Sequence, residues 1–209
     1  MVSAHLDHLV VAAATLAEGR SWVEEQLGVP MEDGGRHEAF GTHNALLRLG
    51  SSAYLEVIAI DPEAPAPGRA RWFELDSPRM AERLAHGPAL VHWVVAVSRG
   101  ALEGTDPIHG EAIALSRGAN RWTLTVPGDG SLPMGGVLPS LIAWDTPPPV
   151  HSLPDRGVEL RQLALAGPES GSLGARLEAL ELVEPPLVVA ADQPSFKAIL
   201  QTPTGLVTV

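Results

Sequence analysis

Apolar and polar positions alternate along this chain in a repeating scheme. Leu6-Asp7-His8-Leu9-Val10-Val11-Ala12 reads as a strand, and Leu90-Val91-His92-Trp93-Val94-Val95-Ala96 repeats it closely. Leu160-Arg161-Gln162-Leu163-Ala164-Leu165-Ala166 is a fainter third copy. Behind the first copy, Leu16, Trp22, Val23 and Leu27 share one helical face and Gly28 supplies the stop, which predicts a helix over Leu16–Leu27. Three short strands follow, near 37–40, 45–49 and 53–60, separated by Gly41-Thr42 and Gly50-Ser51. The first module is therefore βαβββ.

The last segment keeps that order, with helical spacing over 173–182 and strands over 187–191, 196–201 and 206–209. In the middle segment a strand over 89–98 precedes a degenerate helix slot at 100–107 and strands over 110–116, 121–127 and 137–145. Pro-rich stretches at 61–68 and 146–154 mark the boundaries. Ser77 before Pro78 predicts a capped short helix running to Leu84. The chain thus divides into a first module (1–62), a connector with a short helix (63–87), a second module with a degenerate helix (88–147) and a third module (148–209).

Composition narrows the function classes. A formal charge of −11, with Lys and Arg scattered, argues against a nucleic-acid partner. No apolar run reaches the ~18–20 residues of a membrane span, and the N-terminal residues do not read as a secretory leader, so a soluble, cytoplasmic protein with no membrane partner is expected. The absence of cysteine excludes disulfides and thiolate chemistry. Any metal must be held by His, carboxylate, amide or water.

Three groups of residues carry a family likeness: Asp7-His8 on the first strand; Gly34-Gly35-Arg36-His37 with Gly41-Thr42-His43-Asn44; and Tyr54-Leu55-Glu56-Val57. Together they resemble the opening module of glyoxalase-like proteins of the vicinal oxygen chelate superfamily. Arg71-Trp72-Phe73, the strand ending in Trp144, and His151 extend the likeness over most of the chain. The resemblance implies an α+β fold, with repeated βαβββ modules forming curved mixed sheets around a cup-shaped pocket, like the glyoxalase, bleomycin-resistance and dihydroxybiphenyl dioxygenase proteins. It also implies a divalent metal (iron, manganese, zinc or nickel) held by His8, Glu56 and His92, with open positions for a vicinal-oxygen substrate of a lyase, isomerase or dioxygenase. The second carboxylate of a four-ligand site is missing, since Ser140 and Val207 fall at the matching positions.

Residue chemistry leaves alternatives open. His8 and His92 on apolar strands also suit core histidines bonded to a neighbour. Arg36, His37 and Asn44 suit either turn chemistry or a polar rim in which Arg36 holds a substrate carboxylate or phosphate. Tyr54 shares a strand face with Glu56, whereas Trp93 and Trp144 suit the core or the pocket wall. Strict alternation places Asp7 on the face opposite His8. A metal-free small-molecule binding or sequestration protein is the second reading and an interaction module the third. A homodimer is expected because open sheets are often covered at their edges.

Overall fold

The structure, a computed structural model, describes residues 4–209. Strand β1 (His5–Ala12) leads into helix α1 (Leu16–Leu27), followed by β2 (Glu32–His37), β3 (Thr42–Leu49) and β4 (Ala53–Ile60). The local chemistry explains α1. Thr15 Oγ1 accepts the Glu18 N–H at 3.2 Å to start it, and Gly28 takes a left-handed φ of 69° to end it. Gly19 lets the helix lie close on the sheet, for a Cβ there would stand 2.6 Å from that of Ala13.

Helix α2 (Pro78–Leu84) sits in the connector, with Ser77 Oγ accepting the Met80 N–H at 3.0 Å. The middle segment supplies β5 (Ala89–Ala96), β6 (Glu111–Arg117), β7 (Asn120–Val126) and β8 (Ser140–Trp144), and its degenerate helix slot becomes two short 3-10 turns. The last segment adds β9 (Glu159–Gly167), α3 (Ser170–Ala179), β10 (Leu187–Ala190), β11 (Ser195–Thr202) and β12 (Gly205–Thr208). One expected strand is displaced. The stretch expected at 37–40 runs instead over Glu32–His37, because Gly34-Gly35 accommodates a register shift there against β3.

Eight strands form one sheet in the order β2-β3-β4-β1-β5-β8-β7-β6. Its halves mirror each other: β1 pairs parallel with β4, β5 pairs parallel with β8, and β1 meets β5 antiparallel at the centre. The first and middle segments thus build the cup together. The last segment keeps the βαβββ order but pairs differently, as β10-β9-β11-β12, so its first strand is flanked by β10 and β11.

Strand alternation sorts the side chains into two layers. Leu9, Val11, Leu55, Val57, Trp93 and Val95 face α1 and the four-stranded sheet, in one core with Leu165 and Leu200. On the other face, Val10, Ile58, Val94 and Ile142 meet Phe40, Trp72, Phe73 and Met80 in a second core. The connector therefore folds into the cup. Phe73 and Glu74 hold positive φ of 56° and 60°, uncommon for non-glycine residues, and Glu74 N–H donates to Gly130 O at 2.8 Å.

Candidate functional site

The cup contains a small cavity of about 30 Å³. His8, His37, Asn44, Tyr54, Glu56 and Arg117 supply its polar wall, and Trp72, Phe73, Trp122 and Trp144 supply much of its apolar one.

The centre of the polar wall is His8. It is buried, and its Nδ1 lies 2.6 Å from Asp7 Oδ1. Alternation alone would turn Asp7 away, and the structure corrects that expectation. The pairing of β1 with β5 is irregular between Leu6 and His8, and that break lets Asp7 lie beside the imidazole. Asp7 Oδ2 in turn accepts the Trp144 indole N–H at 2.7 Å. With Nδ1–H donated to a carboxylate, Nε2 is the outward nitrogen, and it faces Glu56 Oε2 at 3.5 Å. Tyr54 stacks on the ring with centroids 4.7 Å apart. Burial, with Asp7 and Glu56 nearby, pushes the Tyr54 phenol well above its ordinary range, so it stays protonated.

A second network runs from Glu56 across the cup. Asn44 Nδ2 donates to Glu56 Oε1 at 2.5 Å, while Asn44 Oδ1 accepts from Gly35 N–H and from Arg117 Nη1, both at 2.9 Å. Arg117 Nη1 also donates to His37 Nε2 at 2.9 Å, which leaves His37 Nδ1–H to donate to Thr42 Oγ1 at 3.1 Å. That pattern requires a neutral imidazole. Burial, reinforced by the Arg117 charge, pushes His37 down to about 3.

The glycine pair makes this network possible. A Cβ on Gly34 would collide with the Asn44 side chain, and one on Gly35 would stand 2.9 Å from Arg117 Cδ.

The other expected site residues lie elsewhere. Arg36 is largely exposed and pairs with Asp61, at 3.1 Å, and with Glu63, so it is not part of the cavity wall. Trp93 is buried in the opposite core layer with its indole N–H on Val137 O at 2.8 Å, because its neighbour His92 takes the cup face. Trp144 lines the cavity.

His92 has its own partners. Its Nε2 accepts the Ser140 N–H and lies 3.0 Å from Ser140 Oγ, and its Nδ1 donates to Gly136 O at 2.9 Å. Sheet register explains this. Glu56 pairs with Val10 in one half as Ser140 pairs with Val94 in the other, so Ser140 occupies the position of Glu56. The first half offers His8 a carboxylate, and the second half closes His92 with a serine. Burial pushes His92 down to about 3.

The family model described as the glyoxalase-like domain matches residues 6–181. The chain belongs to that family. Among solved structures, a hypothetical protein from Staphylococcus aureus superposes on this glyoxalase-like chain with a TM-score of 0.60 at 12% identity, over 100% of this chain and 84% of its own. A hypothetical protein from Bacillus halodurans C-125 overlaps 70% of this chain and 96% of its own, with a TM-score of 0.44 at 12% identity. Methylmalonyl-CoA epimerase from Mycobacterium tuberculosis overlaps 70% and 91%, with a TM-score of 0.39 at 20% identity. No curated protein matches the sequence. Among the described residues, no helix is long and apolar enough to cross a membrane.

The divalent metal implied by the resemblance can be tested against these positions. His8 and Glu56 face one another, but both ring nitrogens of His92 are already engaged. Among the described residues no three His, Asp or Glu side chains converge to hold an ion. The set His8, Glu56 and His92 does not fit a metal in this arrangement.

Asp7, Trp72, Phe73, Trp122 and Arg117 are among the site residues that sequence reasoning missed. A signal for Arg117 did exist: Ile113, Leu115 and Arg117 alternate along β6 and so share one face, the face that the structure leaves partly buried.

Proposed function

We propose that this protein acts on a small oxygen-bearing molecule by acid–base chemistry at His8 and Glu56, as an isomerase or lyase within the glyoxalase-like family. The observation that carries the reading is the His8 imidazole held between two carboxylates, Asp7 at 2.6 Å and Glu56 at 3.5 Å, at the wall of a cavity. Asp7 fixes the tautomer and ring orientation. His8 Nε2 and Glu56 Oε2 then form a pair in which one group takes a proton from a carbon next to a carbonyl and the other returns it. Asn44 holds Glu56 Oε1, leaving Oε2 for the reaction. The buried aromatic wall excludes water and strengthens each charge interaction inside.

The test is deuterium incorporation into a panel of 2-hydroxyketones and 2-oxoacids in D₂O, followed by proton NMR. The reading predicts wash-in next to the carbonyl of at least one compound, slowed about 10²- to 10⁴-fold in His8→Gln and Glu56→Gln variants. Wash-in that both folded variants retain would remove these residues from the chemistry.

Binding without turnover is the second reading, favoured by the three indoles of Trp72, Trp122 and Trp144 around so small a cavity. A compound that quenches tryptophan fluorescence saturably yet shows no exchange in any assay would support it.

A further inference from the structure

Arg117 differs from most arginines in this protein. Arg20, Arg36, Arg71 and Arg99 each lie against a carboxylate at the surface or in a loop. Arg117 reaches into the cavity from β6, at the far edge of the eight-stranded sheet, and Nη1 donates to two neutral acceptors, Asn44 Oδ1 and His37 Nε2. Among the described residues no carboxylate pairs with it. A cation held in a cavity wall by neutral groups keeps its charge for something else.

A second donor points the same way. Trp72 lines the same cavity, is buried, and among the described residues its indole N–H has no hydrogen-bond acceptor. A buried donor without an acceptor is costly, and a ligand oxygen would relieve it. Trp72 is held in place by stacking on Phe40, with centroids 3.9 Å apart, and by an edge contact with His37 at 4.9 Å. The two donors therefore flank one imidazole. The neutral state of His37 matters here, because a protonated ring could not accept from Arg117 and would repel it.

We infer that Arg117, with the indole N–H of Trp72, is the receptor for a carboxylate on the substrate, so the pocket takes small carboxylate-bearing molecules. The inference rests on the proposed function only in placing this ligand in the same cavity as His8 and Glu56. A guanidinium fits a planar carboxylate, and an anion offers stronger acceptors than the amide and imidazole now engaged. Because Asp7 and Glu56 already bring carboxylates to the His8 end, a ligand carboxylate is favoured at the Arg117 end, with its reacting carbon directed toward His8. His37 and Asn44 act as positioning residues for the guanidinium.

Acetate and its neutral isostere acetamide test this at constant ionic strength, read by tryptophan fluorescence and by the indole N–H resonances. Wild-type protein should bind acetate saturably and acetamide at least about tenfold more weakly, with the Trp72 indole resonance moving on acetate addition. Arg117→Gln should weaken acetate about tenfold or more and erase the preference, while Arg117→Lys should keep it. The Lys variant retains the charge, so it separates loss of the anion site from loss of the contact that bridges the sheet edges. The variant His8→Gln, which leaves the hydrogen bonds from Glu56 through Asn44 to Arg117 in place, should keep the acetate preference even where the proton-transfer reading fails, which makes the two failures distinguishable. Equal affinity for acetate and acetamide, an acetate titration unchanged in folded Arg117→Gln, or no saturable acetate binding by wild type would each overturn the inference.

Discussion

Replacing His92 with Gln should change how stability responds to acid, by an amount the structure sets. His92 is fully buried, donates from Nδ1 to Gly136 O and accepts at Nε2 from Ser140 N–H, so the folded protein holds it neutral, down to about 3. The unfolded chain protonates the same ring near its ordinary value of about 6.5. Above that value both states are neutral and the group adds no pH dependence. Below it the unfolded state alone gains a proton, and stability falls as pH drops through the window from about 6.5 to about 3. One such group costs about 1.4 kcal/mol per pH unit, or roughly 2 kcal/mol by pH 5. His37, also held near 3, contributes a similar slope, and His109, lowered by burial, adds to it.

The comparison that isolates His92 is between wild type and His92→Gln. Urea unfolding followed by tryptophan fluorescence at several pH values between 5 and 8 supplies both curves. At pH 8 the variant should be less stable by about 1–3 kcal/mol, because Gln cannot satisfy both Gly136 and Ser140 in the same geometry. Between pH 6 and 5 the slope of its stability should be shallower than that of wild type by about 1.2 kcal/mol per unit, close to the signature of one proton. Parallel slopes would show that His92 is not held neutral. The argument that its nitrogens are committed to Gly136 and Ser140 would then fail.

Three further outcomes follow from the same geometry. Asp7→Asn should leave the chain folded but lower any exchange activity at His8 about 10²-fold or more, because an amide can donate to Nδ1 and select the other tautomer; unchanged activity would refute the orienting role. Gly34→Ala should destabilise the protein by about 1–3 kcal/mol and weaken ligand binding together, since its Cβ displaces Asn44, and unchanged thermal unfolding would contradict that packing. Protein purified without chelator should carry well under one equivalent of transition metal, and its unfolding should not shift with a chelator; a stoichiometric ion lost in His92→Gln would restore the three-residue metal set.

The sequence reading reached the fold because the repeated strands and the capped helices are local signals. Gly28 and Ser77 declare helix ends with their own backbone or side chain, and the Leu6 and Leu90 runs share five of their seven positions. The pairing of modules was not local. It became fixed only by β1 meeting β5, while the parallel pairing of β5 with β8 sets Ser140 beside His92. For the site, His8, His37, Asn44, Tyr54, Glu56 and Trp144 were legible from strand parity and family likeness, and all six line the cavity. Asp7 was hidden because one irregular pair near the start of β1 defeats simple alternation. Arg117 was hidden because its role depends on how far the sheet curls, bringing β6 to the Gly34-Gly35 bend on the opposite edge.

The most direct test of the central claim is the ¹⁵N spectrum of the histidine rings in uniformly labelled protein, with His8 assigned by comparison with His8→Gln. The structure predicts that Nδ1 of His8 carries a proton donated to Asp7 and that Nε2, facing Glu56, is the nitrogen whose resonance moves when a ligand enters the cavity. A bare Nδ1, or an Nε2 resonance indifferent to every ligand that quenches the pocket tryptophans, would contradict His8 as the acid–base centre.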